Sequence, residues 1–251
     1  MPKRSAACTT VLEILTASGS SAARDGMERF GIPSHNALGV RIPQLRKLAR
    51  QIGLDHRLAG ELWGTGILEG RILAALIADP SRISARQMDV WASQFDSWAV
   101  CDACCCNLFD KTSQAYRKAA EWSCRKEEFV KRAAFSLMAG LAAHDRSAPD
   151  AEFLKFLPLI KFAAADERNF VKKAVNWALR QIGKRNPKLN IASIRVAESL
   201  RKLESPAARW IGADALRELR SAAVQKRLQD RSKRLRRREE GLARLHTQTP
   251  R

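Results

Sequence analysis

Residues 95–111 read FDSWAVCDACCCNLFDK and gather the side chains of this sequence that could do chemistry. Trp98 and Asp102 lie four positions apart, so on a helix they share one face. Asp96-Ser97 is N-cap chemistry directly before Trp98, which predicts a helix from there to about Phe109. The carboxylate then sits near the helix N-terminus, where unpaired amides and the macrodipole keep it ionised even beside an aromatic ring. An ionised carboxylate next to an indole suits the stabilisation of developing positive charge. Cleavage of a glycosidic bond, with its oxocarbenium-like transition state, needs that. The same pair also fits a packed tryptophan near a surface charge, and its spacing alone does not choose between the two.

Four of the six cysteines, Cys101, Cys104, Cys105 and Cys106, fall in this stretch. Cys101 and Cys105 share a face with Cys104 beside them, as small buried residues of a packed helix would. Zinc needs four converging ligands, usually in two pairs, and Cys8 and Cys124 have no paired partner nearby. CDAC spells a CxxC, without the βαβ setting that makes the motif a redox site. Consecutive cysteines on one helix cannot bridge one another with good geometry. The expectation is no metal, no cofactor and a reducing compartment, the cytoplasm.

The elements that must hold these residues are helices. Glycine and proline are sparse, at 13 and 9, and apolar residues return at three and four rather than at two. IPQLRKLARQI (42–52), ILAALIAD (72–79), FVKRAAFSLMAGLA (129–142) and FVKKAVNWALRQIGKRN (170–186) show the pattern, with breaks such as DPSRIS and KRNPK between segments. FVKRAAFSL at Phe129 recurs as FVKKAVNWAL at Phe170, and ALRQI (178–182) recurs as ALREL (215–219). Periods near 40 built from helix pairs mark HEAT-type solenoids, in which each pair buries its apolar face by stacking on its neighbours. The predicted architecture is all-α, a curved α-solenoid of HEAT-like repeats over residues 1–224, followed by a basic tail at 225–251.

Forty-five Lys and Arg against 26 Asp and Glu leave a formal charge of +19, well beyond what solubility asks of a 28.0 kDa chain. A polyanionic partner follows, and nucleic acid is favoured over membrane, because no stretch approaches 18 uninterrupted apolar residues and the cations are spread along the chain. The N-terminal MPKRSAACTTVLEIL has no apolar run ending in a small-residue cleavage site, so no signal peptide is expected.

SWAVCD (97–102), FVKRAA (129–134) and FVKKAVNWALR (170–180), in that order, resemble signature segments of the AlkD-like DNA alkylation repair family. FGIPSHNALGVRIPQLRKLAR (30–50) and LEGRILAALIAD (68–79) extend the resemblance, which spans most of the first 220 residues. It implies a curved stack of HEAT-like helix pairs with duplex DNA on its concave face, and excision of N3- and N7-alkylated purines. By position, Asp102 matches the catalytic aspartate, and Trp98 and Trp177 match tryptophans at the sugar and backbone of the damaged nucleotide. Arg132 matches an arginine on the same DNA-facing surface. An alkylated purine is already cationic and leaves without an enzyme acid, so the aspartate has to support only the sugar cation and the attacking water. The resemblance also implies a lesion that stays stacked rather than flipped into a pocket.

Lys131, Lys172, Lys173 and Arg180 beside the matched positions, and Arg41, Arg46 and Arg71 upstream, are expected to grip phosphates. Trp63, Trp91, Trp122 and Trp210 are expected to pack between helices. Two departures stand out. Ala99 follows the tryptophan where many relatives carry an acid, and the only tyrosine, Tyr116, is far from the N-terminal position where some relatives face the DNA. The expected function is a monomeric DNA glycosylase acting on double-stranded DNA that contains alkylated bases. The alternative is a non-catalytic HEAT-repeat protein that binds damaged, bent or branched DNA, and a third class is a scaffold for acidic proteins.

Overall fold

A computed structural model of the chain describes residues 4–231, 233 and 234; from residue 235 onward the expected tail lies outside the described residues. Every regular element among the described residues is helical. No helix among them is long and apolar enough to cross a membrane. The chain divides into two compact units, Met1–Leu141 and Ala142–Arg251.

The first unit holds α1 (Ala6–Ala17), α2 (Ser21–Asp25), α3 (Ile42–Ile52), α4 (His56–Trp63), α5 (Leu68–Ile77), α6 (Ala85–Ser93), α7 (Trp98–Asn107) and α8 (Ala115–Trp122), and α9 (Glu128–His144) begins in it. The second holds α10 (Asp150–Ala163), α11 (Asn169–Gly183), α12 (Pro187–Leu200) and α13 (Pro206–Leu219), followed by helical residues 222–231. Many of the starts are set by local chemistry. Ser5, Asp55, Ser84, Ser97, Asn186 and Ser205 each accept the backbone N–H three residues on. Each bond satisfies one amide the helix cannot, worth about 1 kcal/mol.

Alternate helices pack on one another, as in HEAT repeats. In the first unit α3 packs on α5 and α5 on α7. α7 in turn lies along α9, with the thiols of Cys101, Cys105 and Cys106 directed at the carbonyls of Phe129, Ala133 and Ser136 at 3.7, 3.4 and 3.9 Å. The cysteines are small residues that let two helices approach and that donate weakly across the gap. In the second unit α10 packs on α12 and α11 on α13. Phe129 and Phe170, which open the two similar segments, are each the second residue of their helix.

The core of the first unit is aromatic. Trp63 and Trp91 stack at 4.0 Å with their planes 1° apart, and Phe95, Phe109 and Trp122 continue the cluster at 6.0–6.4 Å. Against this core a buried carboxylate shapes the loop that leads into α3. Glu69 is fully buried and accepts the backbone N–H groups of Leu38, Gly39 and Val40 at 2.9, 2.7 and 3.2 Å. Gly39 has φ 81°, and a Cβ there would meet the Ser20 carbonyl oxygen at 2.1 Å, so the turn accepts only glycine. This loop delivers Arg41 to the start of α3. Glu69→Ala leaves three amides without a partner and is expected to cost about 3 kcal/mol, read as a lower urea midpoint. Glu69→Gln is expected to recover only part of that, because its NH₂ would face the Leu38 N–H.

Candidate functional site

The Ser97 hydroxyl accepts the Val100 N–H, which sets the start of α7 and places Asp102 in its second turn. Opposite, α9 presents Arg132 and Ser136, four residues apart and therefore on one face. Arg132 Nε donates to Asp102 Oδ1 at 3.1 Å and its Nη2 to Oδ2 at 2.7 Å, and Ser136 Oγ donates to Oδ1 at 2.7 Å. This is the two-pronged geometry that arginine, unlike lysine, offers a carboxylate. The Arg132 side chain is 7% exposed and that of Asp102 21%. Burial works against the Arg132 charge, and the adjoining Asp102 carboxylate more than offsets it, holding the guanidinium pKa above its ordinary value. A carboxylate has about four acceptor positions. Here Oδ1 uses two and Oδ2 one, so the open position is on Oδ2.

Trp98, half-buried, donates its indole N–H to the Phe30 carbonyl at 2.8 Å, which fixes its edge to the segment ahead of α3. Arg71 braces the turn before α7. Its Nη1 donates to the Gln94 carbonyl at 3.0 Å and to Asp96 at 3.2 Å, and its guanidinium lies 5.3 Å from the Trp63 ring centroid. Burial pushes the thiols of Cys104, Cys105 and Cys106 up, which removes them from nucleophilic chemistry at neutral pH. Arg41 directly before α3 and Arg46 on it are exposed, and Lys131 is half-buried on α9.

In the second unit α11 carries Lys173 exposed, and Lys172, Trp177 and Arg180 half-buried. Arg180 Nη1 donates to Glu218 Oε2 at 2.6 Å and lies 3.4 Å from Asp214, while Lys184 Nζ donates to Glu218 Oε1 at 2.7 Å. Desolvation alone would raise the Glu218 pKa, but the two cations outweigh it and hold it below the usual carboxylate range. A depressed folded-state pKa means that this stabilisation is present above the ordinary glutamate pKa and is lost as pH falls through the lowered value. Glu218→Gln is therefore expected to lower stability at pH 7 and to shrink the further loss between neutral and acidic pH, measured by denaturant unfolding at each pH.

Trp210 departs from the expected inter-helix packing. Ala207, Ala208, Ile211 and Ala215 take the inward face of α13, and Trp210 is left 42% exposed with the Lys172 ammonium 5.3 Å from its ring centroid. A signal for this was present in the sequence. WIGAD (210–214) repeats the spacing of WAVCD (98–102), and Asp214 likewise accepts from the neighbouring helix, through Asn176 Nδ2 at 2.7 Å.

The family model for the DNA alkylation repair enzyme matches residues 11–231 of this chain. The chain belongs to the DNA alkylation repair enzyme family. A solved structure shares its fold at a TM-score of 0.71, covering 84% of this chain and 95% of that one at 21% sequence identity. It is described as a new family of proteins related to the HEAT-like repeat DNA glycosylases with affinity for branched DNA structures. No curated protein matches the chain.

In this member of the DNA alkylation repair enzyme family, Trp98, Asp102 and Arg132 come together in the first unit, while Trp177, Lys172, Lys173 and Arg180 belong to the second. Three of the named cations are held by carboxylates: Arg71 by Asp96, Arg132 by Asp102 and Arg180 by Glu218. Ser136 and Glu218 were not singled out from the sequence. They are ordinary polar positions on amphipathic helices, and only the packing of alternate helices gives them their partners.

Proposed function

We propose that this protein is a DNA glycosylase that releases cationic N3- and N7-alkylated purines from duplex DNA, with Asp102 as the carboxylate that supports the sugar cation. The observation that carries this reading is a partly exposed carboxylate, fixed by Arg132 and Ser136 with one acceptor position left on Oδ2, one helical turn from Trp98. That position can hold the attacking water and take its proton, while the negative charge opposes the growing charge at the sugar. No acid is needed for the leaving base. Arg132 is then a positioning residue: its fork fixes the carboxylate and does not reach for phosphate. Trp98, beside the carboxylate, meets the sugar of the damaged nucleotide, and Arg41, Arg46 and Lys131 in the first unit and Lys172, Lys173 and Trp177 in the second each meet the DNA backbone. The lesion stays stacked, so bulky adducts are tolerated. The protein works as a monomer in the cytoplasm.

The test is release of methylated purine from alkylated duplex DNA, and no release by the unaltered protein would end the proposal. One observation favours a second reading. The Arg132 guanidinium neutralises much of the Asp102 charge, as a purely structural ion pair would, and the solved neighbour is described by its affinity for branched DNA. On that reading the chain binds distorted DNA without cleaving a bond, and binding is indifferent to Asp102.

A further inference from the structure

The second unit contains a cleft of about 560 Å³, walled on one side by the C-terminal end of α9 and the turn after it and on the other by the helical residues beyond 221. Its lining is cationic. Arg146, Lys226, Arg227, Arg231 and Arg234 face it with Asp230 as the single acid. Arg231 is anchored, donating to the Arg185 carbonyl at 2.7 Å, and so ties the helix to the cleft floor. Arg146, Lys226, Arg227 and Arg234 are exposed, and none of them forms an ion pair among the described residues. Elsewhere exposed arginines of this chain do find acids, as Arg57 finds Glu61, Arg117 finds Glu121 and Arg220 finds Glu198. Four cations left unpaired around one concavity repel each other, and an anion between them relieves that repulsion.

We propose that this cleft clamps the sugar-phosphate backbone of duplex DNA, independently of any lesion. The inference extends the DNA-binding side of the proposed function and rests on that reading. Two features select a backbone over a small anion or a nucleotide. From Lys226 to Arg234 the chain, helical at its described positions, rises roughly 12 Å at 1.5 Å per residue. A strand of B-DNA shows one phosphate per ~3.4 Å of axis, so the row faces about three of them. The apolar part of the lining is alanine alone, Ala142, Ala143 and Ala223, with no aromatic ring on which a base could stack.

The test uses the full chain and a combined Arg146→Gln, Lys226→Gln, Arg227→Gln, Arg234→Gln variant. Anisotropy of labelled, undamaged duplex is followed against salt. The slope of log affinity on log salt is expected to fall by about 3 to 4, with binding on the order of 100-fold weaker at low salt. Single-turnover purine release at saturating protein is expected to stay within about twofold of the unaltered chain, because Arg132 and Ser136, the side chains that hold Asp102, are untouched. A control removes four other exposed cations, Arg57, Arg86, Lys155 and Lys188. An equal loss of slope in the control overturns the clamp, as does an unchanged slope in the cleft variant. Lost binding of inorganic triphosphate with DNA binding intact also overturns it, in favour of a small-anion site. The duplex of the binding assay carries no lesion, so failure of the glycosylase reading shows in the release assay alone and leaves the binding result to stand or fall by itself.

Discussion

Asp102→Asn is expected to slow release of methylated purine from alkylated duplex DNA by about 30- to 100-fold under single-turnover conditions. The size follows from the charges. A full sugar cation ~3.5 Å from the open oxygen gains about 5 kcal/mol at an effective dielectric near 20, and with roughly half of that charge developed at the transition state about half of the gain remains, the Arg132 guanidinium being present in both proteins and dropping out of the difference. The remaining ~2 kcal/mol is about 30-fold in rate. Loss of the acceptor that orients the water adds to it. Binding should not weaken, since the change removes a negative charge from a surface facing a polyanion. A fall in rate at constant or tighter DNA affinity is thus the pattern expected of a catalytic carboxylate, and equal rates for the two proteins would remove Asp102 from the reaction. The amide nitrogen of the variant must face a donor on Arg132 or on Ser136, so its unfolding curve has to be measured beside the kinetics. A rate loss that persists at temperatures where the variant is fully folded is chemical, not structural.

The helical elements were legible because their signals are local. Periodicity gave the helices, Ser97 gave the start of α7, and the recurrence of FVKRAA as FVKKAV marked two helices that begin alike. The environment of Asp102 was not legible. Its partners lie on α9, and neither the basic side chain at 132 nor the hydroxyl at 136 announces which face meets α7. The resemblance placed Asp102 and Arg132 on one surface without saying that the arginine's fork closes on the carboxylate. Trp210 was misread for a related reason. A tryptophan on an amphipathic helix is ordinarily a core residue, and only the row of small inward residues on α13 turns it outward. The basic cleft is further still from sequence reading, because Arg146 and Lys226 are joined by folding and not by a motif.

Charge alone would also assign Arg185, which lines that cleft, to DNA binding, and its geometry assigns it elsewhere. It is 7% exposed, and its guanidinium donates to the carbonyls of Ala142, Asp145 and Ala148 at 3.1, 2.6 and 3.1 Å. The Phe153 ring lies 4.0 Å from its centre. One planar group thus satisfies the end of α9 and the turn into α10, where backbone carbonyls have no helical partner. Arg185→Met keeps the stem and removes the fork, leaving these carbonyls to be buried unpaired at a cost of about 3 to 4 kcal/mol. Thermal unfolding should fall by roughly 6 to 12 °C. Arg185→Lys is expected to rescue little, because one compact ammonium cannot reach three carbonyls that a rigid fork spans. The salt slope of DNA binding, measured where the variants are folded, should match that of the unaltered chain. This separates Arg185 from the four cations beside it: removing them weakens DNA binding and leaves stability nearly unchanged, whereas removing Arg185 does the reverse. A lysine variant as stable as the original would mean that charge, not the fork, holds this turn.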